Sequence, residues 1–120
     1  MIQKGDVVTV VDDEKMWTKC TNQDFMRDCA VDPGNFEQGR RPSGLLVVLG
    51  LAWYERSDRT YLGLRDKNGF EYLCNVGGVE AAWDGPHRLS EAGARLAIAA
   101  LEGAPGTLAS DIALLRQMLV

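Results

Sequence analysis

The chain has 120 residues, 46% of them hydrophobic and 25% charged, with a net charge of −4 and a pI near 4.9. That length suits one domain that buries a core without disulfides or a metal. The acidic balance argues against general phosphate-backbone binding, which needs clustered Lys and Arg, and no apolar run reaches the roughly 18–20 residues of a membrane span.

The first element reads as a strand. Residues 6–11 are DVVTVV, a β-branched run entered through Lys4-Gly5-Asp6 and ended by Asp12-Asp13-Glu14. A second short strand is expected over 16–20, with Met16, Thr18 and Cys20 on one face and Trp17 and Lys19 on the other. Residues 22–30 predict about two helical turns capped by Thr21 or Asn22, with Phe25, Met26 and Cys29 on one side. Asp32-Pro33-Gly34-Asn35 predicts a type II turn, which requires Gly34 at positive φ. Residues 36–44 carry Gly39, Arg40, Arg41, Pro42 and Gly44 and read as an exposed loop.

The run LLVVLGLAWY over 45–54 reads as the central strand, covered on both faces, with Gly50 marking a bulge or bend. A charged turn over 55–59 leads into a hairpin over 60–76, and charge decides its register. A two-residue Asn68-Gly69 turn would set Asp66 opposite Glu71, a like-charge pair. A three-residue loop, Lys67-Asn68-Gly69, sets Arg65 opposite Glu71, Leu64 opposite Tyr72 and Leu62 opposite Cys74. Cross-strand pairs contribute about 0.2–1 kcal/mol each, so the second register is expected. Its buried face is Leu62, Leu64, Tyr72, Cys74 and Val76. Residues 77–83 turn away from the hairpin through a short helical turn, and Asp84-Gly85-Pro86 closes the β region.

After that point the pattern changes. Ser90 is a good N-cap for a helix running to Glu102, ended by Gly103 and blocked by Pro105. Thr107 or Ser110 caps a second helix, whose stripe is Leu108, Ile112, Leu115 and Leu119, widened by Leu114 and Met118. A run of strands followed by a run of helices defines the α+β class. The expected fold is a small bent antiparallel sheet or barrel over 1–84 followed by a C-terminal helical hairpin over 85–120, in a single domain. No basic, apolar leader follows Met1, so a cytoplasmic location with reduced thiols is expected.

Strand, long loop, apolar strand, hairpin and closing turn, with the Lys4-Gly5-Asp6 entry, resemble a Src-homology-3-like small barrel over residues 4–83. The resemblance implies the barrel fold. The aromatic peptide-groove motifs of the signalling members are not present, so proline-rich ligands are not implied. In its shortness and lack of a family motif the chain also resembles orphan proteins of mobile bacterial DNA, such as integron cassettes. The segment Arg88-Leu89-Ser90-Glu91-Ala92-Gly93 with Leu96 is similar to a wing-to-helix junction. Winged-helix regulators place a helix-turn-helix before the wing, and the long β region leaves little room for one.

Chemistry-bearing residues are few. Cys20, Cys29, Cys74 and His87 have the count for structural zinc but no short Cys-x₂₋₄-Cys knuckle, so no metal is expected. His87 is the natural general base if one exists, and a cysteine the natural nucleophile, but nothing local marks either as activated. Asp24, Asp28 and Asp32 read as a solvated acidic face, and the glycines form no phosphate cradle, so no cofactor is expected. The aromatic set Trp17, Trp53, Tyr54, Tyr61, Tyr72 and Trp83 is the most informative. Some of these rings build a core, and others are placed to line a groove for a peptide or protein ligand.

The sequence thus points to a non-enzymatic binding or adaptor module. Its groove is expected near Trp17, Trp53 and Tyr54, rimmed by Arg40 and Arg41, with residues 21–44 as a wall. A homodimer through Ile112, Leu115, Met118 and Leu119 is expected from the wide apolar stripe. The alternative is a small enzyme using His87 or a cysteine with an acidic loop residue.

Overall fold

A computed structural model of the protein describes residues 2–42, 44–82, 91–104 and 107–117. Five strands form one open antiparallel sheet in the order β4-β3-β2-β1-β5, and helices follow it, so the fold is α+β. The strands are β1 (Val7–Val10), β2 (Leu46–Tyr54), β3 (Arg59–Arg65), β4 (Glu71–Asn75) and β5 (Val79–Ala81). A 3₁₀ turn over Val76–Gly78 joins β4 to β5. The helices are α1 (Gln23–Asp28), α2 (Glu91–Leu101) and α3 (Ala109–Gln117).

The sheet has two apolar faces. Its inner face carries Val8, Leu46, Val48, Leu62, Leu64, Tyr72, Cys74 and Val79, joined by Met16 in one buried cluster. Residues from both ends of the strand order meet there, which requires the sheet to curl. The outer face is covered by helices at two places. Val7, Val47 and Leu49 pack against Ala97, Ile98, Ala100 and Leu101 of α2. Further along, Leu73 packs with Phe25, Met26 and Cys29 of the α1 segment.

The hairpin adopts the register that charge selects: Arg65↔Glu71, Leu64↔Tyr72 and Leu62↔Cys74, with Gly69 at φ +88°. Asp66 holds the loop: one carboxylate oxygen accepts from the Asn68 and Phe70 N–H groups, the other from the Tyr72 hydroxyl. Val76 departs from the expected buried face. It enters the 3₁₀ turn instead of continuing the strand, and its side chain is partly exposed.

Residues 11–45 wrap the sheet. The expected 16–20 strand is reduced to a single bridge, Met16↔Cys74, reinforced by the Trp17 N–H to Leu73 carbonyl bond at 2.9 Å. That bridge and the parallel Phe36↔Glu71 bridge cover the outer edge of β4. α1 is capped as expected, Asn22 Oδ1 accepting from the Phe25 N–H. The 32–35 turn is a 3₁₀ turn with Asp32 accepting from the Gly34 N–H; Gly34 is not among the positive-φ glycines, so the type II assignment is corrected.

One contact fixes where α1 sits. Gly50 and Gly63 are paired on neighbouring strands, and the backbone of Cys29 lies directly over them. A Cβ on Gly63 would fall 2.0 Å from the Cys29 carbonyl oxygen. The two glycines make a saddle that admits the end of α1. Ala30 follows at φ 61°, with its methyl over Gly50, and the Val31 N–H returns to the Met26 carbonyl to close the helix.

At the C-terminal end, α2 and α3 pack on the turn at Lys4-Gly5, with Leu101 and Leu115 against Gly5. Neither Thr107 nor Ser110 caps α3. Asp111 accepts from the Leu108 N–H and pairs with Lys4 at 3.3 Å, which lowers its pKa. Ser90, Pro105, Met118 and Leu119, invoked for the helix ends and the stripe, lie outside the described residues, as do Trp83 and His87.

Candidate functional site

The bulge in β2 decides which aromatics are buried. Val48 pairs with Leu64 on the inner face, and the register then shifts before Gly50↔Gly63. Leu49 and Gly50 both meet the outer layer, Leu49 in the α2 cluster and Gly50 against Ala30. The side-chain alternation is therefore inverted beyond the bulge. Ala52 and Tyr54 turn outward under α1, while Leu51 and Trp53 share the inner face with their partners Leu62 and Thr60.

Trp53 is the most exposed large aromatic among the described residues, at 57%. Leu51, two positions before it on the same face, is also exposed, as is Val76, which enters the 3₁₀ turn just past the Tyr61↔Asn75 pair. The Trp53 indole N–H donates to Asp58 Oδ1 at 3.0 Å. Together these residues make an apolar lip where the inner face reaches solvent, beside the 55–58 turn.

Trp17 and Tyr54 are brought together on the opposite face. Their ring centroids are 5.1 Å apart, and Phe25 and Tyr61 complete a four-ring cluster with spacings of 4.8–6.1 Å. At those distances the rings touch, so nothing can enter between them. This cluster anchors α1 to the sheet. Beside it lies a cavity of about 180 Å³ lined by Cys20, Thr21, Gln23, Met26, Pro33, Phe36 and Gln38. Small-molecule sites run from roughly 300 Å³ upward, so its size suits a few waters better than a cofactor.

Arg40 and Arg41 are engaged elsewhere. Arg40 stacks on the Phe70 ring at 3.6 Å, pairs with Glu37 and donates to the Tyr72 hydroxyl. Arg41 donates to the Asp13 carbonyl at 2.8 Å. Arg40 clamps the long 11–45 connection onto the hairpin, and Arg41 ties the two ends of that connection to each other. The groove expected from sequence is thus divided: Trp17 and Tyr54 inside one cluster, Arg40 and Arg41 at the hairpin and the 13–15 turn, and Trp53 alone on the exposed lip.

Glu71 is the one buried charged residue among those described. Its carboxylate accepts from the Asp32 N–H at 2.9 Å and from Asn35 Nδ2 at 2.6 Å, with Arg65 Nε 3.9 Å away. Burial raises its pKa against those three stabilising contacts. Arg65 also donates to the Ala100 carbonyl, tying α2 to the hairpin. This network holds the 32–35 turn and leaves no free oxygen for a substrate.

The thiols are buried and protonated. Cys29 and Cys74 are pushed up to about 12, chiefly by desolvation, and burial also raises Cys20. Among the described residues no group of His, Cys, Asp and Glu is arranged to hold a metal ion. Asp24, Asp28 and Asp32 are exposed.

What sequence reasoning missed is Leu51 as the neighbour of Trp53 and Val76 as an exposed residue at the end of β4. The Gly50 signal was present, but the position of the extra residue sets the direction of every side chain after it, and periodicity alone does not supply that position. No protein-family model, no curated protein and no solved structure matches the chain.

Proposed function

We propose that this protein is a non-enzymatic binding module whose ligand is an extended, apolar stretch of peptide laid across Leu51, Trp53 and Val76. The observation that carries the reading is Trp53 itself. A tryptophan left 57% exposed beside exposed Leu51, on a face otherwise filled by core, is what a docking surface requires and what a monomer core avoids. An exposed aromatic residue on one face of a curled antiparallel sheet suits peptide recognition. Three buried, unpaired thiols support a reducing, cytoplasmic setting.

The test is selection from a random peptide library displayed on phage, run on the wild-type chain and on Trp53→Ala. The reading expects peptides that bind the wild type and lose about tenfold or more in affinity on Trp53→Ala, the effect of removing a central aromatic anchor. Equal binding by the two proteins, or no enrichment at all, overturns it.

Self-association through the helical hairpin is a second part of the proposal. Leu108, just before α3, and Leu114 within it stand more than 60% exposed, while Leu115 and Ile112 of the expected stripe pack against the chain's own core. Light scattering on the purified chain at micromolar concentration is expected to give twice the chain mass; the monomer mass contradicts it. The enzymatic alternative draws little support from the cysteines, since raised thiol pKa values leave almost no thiolate at neutral pH. Its other candidate, His87, lies outside the described residues.

A further inference from the structure

The lip around Trp53 contains a second feature, in the turn that follows it. Asp58 stands at φ +51°, in the left-handed region. Asp tolerates that region better than most residues but still pays some strain there. The turn itself is closed by backbone bonds, Ser57 N–H to the Tyr54 carbonyl and Asp58 N–H to the Glu55 carbonyl, both at 3.3 Å. The conformation aims the Asp58 carboxylate back along the strand, where it accepts the Trp53 indole N–H at 3.0 Å. Both residues are exposed, so this bond contributes no more to stability than an ordinary hydrogen bond in water. Its consequence lies in what it does to the indole. It fixes the rotamer of an exposed tryptophan, and it occupies the only polar atom the ring has.

We infer that Asp58 is a positioning and specificity residue for ligand binding at Trp53: it holds the ring ready and withdraws its donor, so the site takes an uncharged apolar side chain. The inference rests on the binding-module reading above. A free indole N–H would seek a carbonyl on the ligand; with that donor satisfied internally, Trp53 offers only its apolar faces. The charges around it agree. Glu55, Arg56, Asp58 and Arg59 alternate in sign along the turn, so the rim has no net charge to attract an acidic or basic ligand. Leu51, on the same face of β2, extends the apolar surface. Holding the ring in place before binding spares the ligand the cost of ordering it.

The experiment uses peptides selected from a random library on the full wild-type chain, with affinities measured by fluorescence anisotropy for Asp58→Asn, Asp58→Ala, Asp58→Gly and Trp53→Ala. Asn accepts the indole N–H and tolerates positive φ, so Asp58→Asn is expected to bind within about twofold of the wild type. Asp58→Ala is expected to weaken binding about five- to tenfold, the range for freeing one ordered side chain. Asp58→Gly relieves the backbone strain but has no acceptor, and it is expected to weaken binding as Ala does; a merely structural role for Asp58 predicts instead that Gly binds like the wild type. The indole N–H resonance of Trp53 is expected to shift in Ala and Gly. Full loss on Trp53→Ala with no change on Asp58→Ala or Asp58→Gly overturns the role of Asp58 alone. No change on Trp53→Ala, or no selected peptide, overturns the binding reading as well. Selected peptides rich in Lys, Arg, Asp or Glu overturn the apolar specificity.

Discussion

Single residues in this chain are tolerant or intolerant for reasons of space more than of type. Gly63 and Gly39 make the contrast. Gly63 lies under the Cys29 backbone, where a Cβ would meet the carbonyl oxygen at 2.0 Å and Val31 Cγ2 at 2.8 Å. Gly39 has φ +75° but nothing within 4 Å. Gly63→Ala is expected to lose roughly 3 kcal/mol or more, because backbone must move. Gly39→Ala should lose only about 1 kcal/mol, the strain of the left-handed region. Urea titration of both variants checks the difference; equal losses would show that α1 does not press on the saddle. Glu71 makes a pH prediction. Its folded pKa is raised above the ordinary 4.5 by burial, so the folded chain holds this proton more tightly than the unfolded chain does. Through this group, stability is greatest below the unfolded pKa and declines as pH rises through the folded one. Glu71→Gln cannot ionise. Denaturant midpoints taken near pH 4.5 and near neutrality should therefore show the wild type losing ground to the variant as pH rises. A gap that moves the other way would mean that the Asp32, Asn35 and Arg65 contacts outweigh desolvation.

At the level of elements, the hairpin was the most legible part of the sequence. A like charge directly opposite another is unfavourable, so Glu71 alone separated the two registers, and the observed pairing follows that choice. The loop then depends on Asp66, whose carboxylate takes two backbone N–H groups and the Tyr72 hydroxyl. Asp66→Ala leaves those donors to water or to nothing, and a loss of about 2 kcal/mol is expected. Hydrogen exchange should locate it, with faster exchange at β3 and β4 amides and little change in β1; uniform acceleration would contradict a local role. The helix α1 was legible from its cap and its apolar side. The 16–20 strand was not, because its pairing to β4 is a single bridge made by a wrapped loop, and alternation in a short segment cannot tell a strand from that. β5 was missed for a similar reason: three residues beside two glycines carry no periodic signal. The aromatic groove was misread as one surface because the bulge inverts the strand halfway along.

The whole molecule is a curled sheet with helices on its outer face and a long connection clamped around its edge. That arrangement buries the three thiols and Glu71, packs the partly buried Trp17 cluster under α1, and leaves Leu51, Trp53 and Val76 exposed. Only coarse organisation follows from composition: a chain of this size with 46% hydrophobic residues will bury a core, but which aromatic is left outside depends on register and bulge. The central claim is that binding occurs at this lip and not at the cavity beside Cys20 and Phe36. The most direct measurement is a two-dimensional ¹H–¹⁵N spectrum of the labelled chain during titration with a library-selected apolar peptide. The account predicts shifts concentrated at Leu51, Trp53, Asp58 and Val76, including the Trp53 indole N–H. Shifts confined to residues 20–38 would contradict it, and so would a spectrum that does not change.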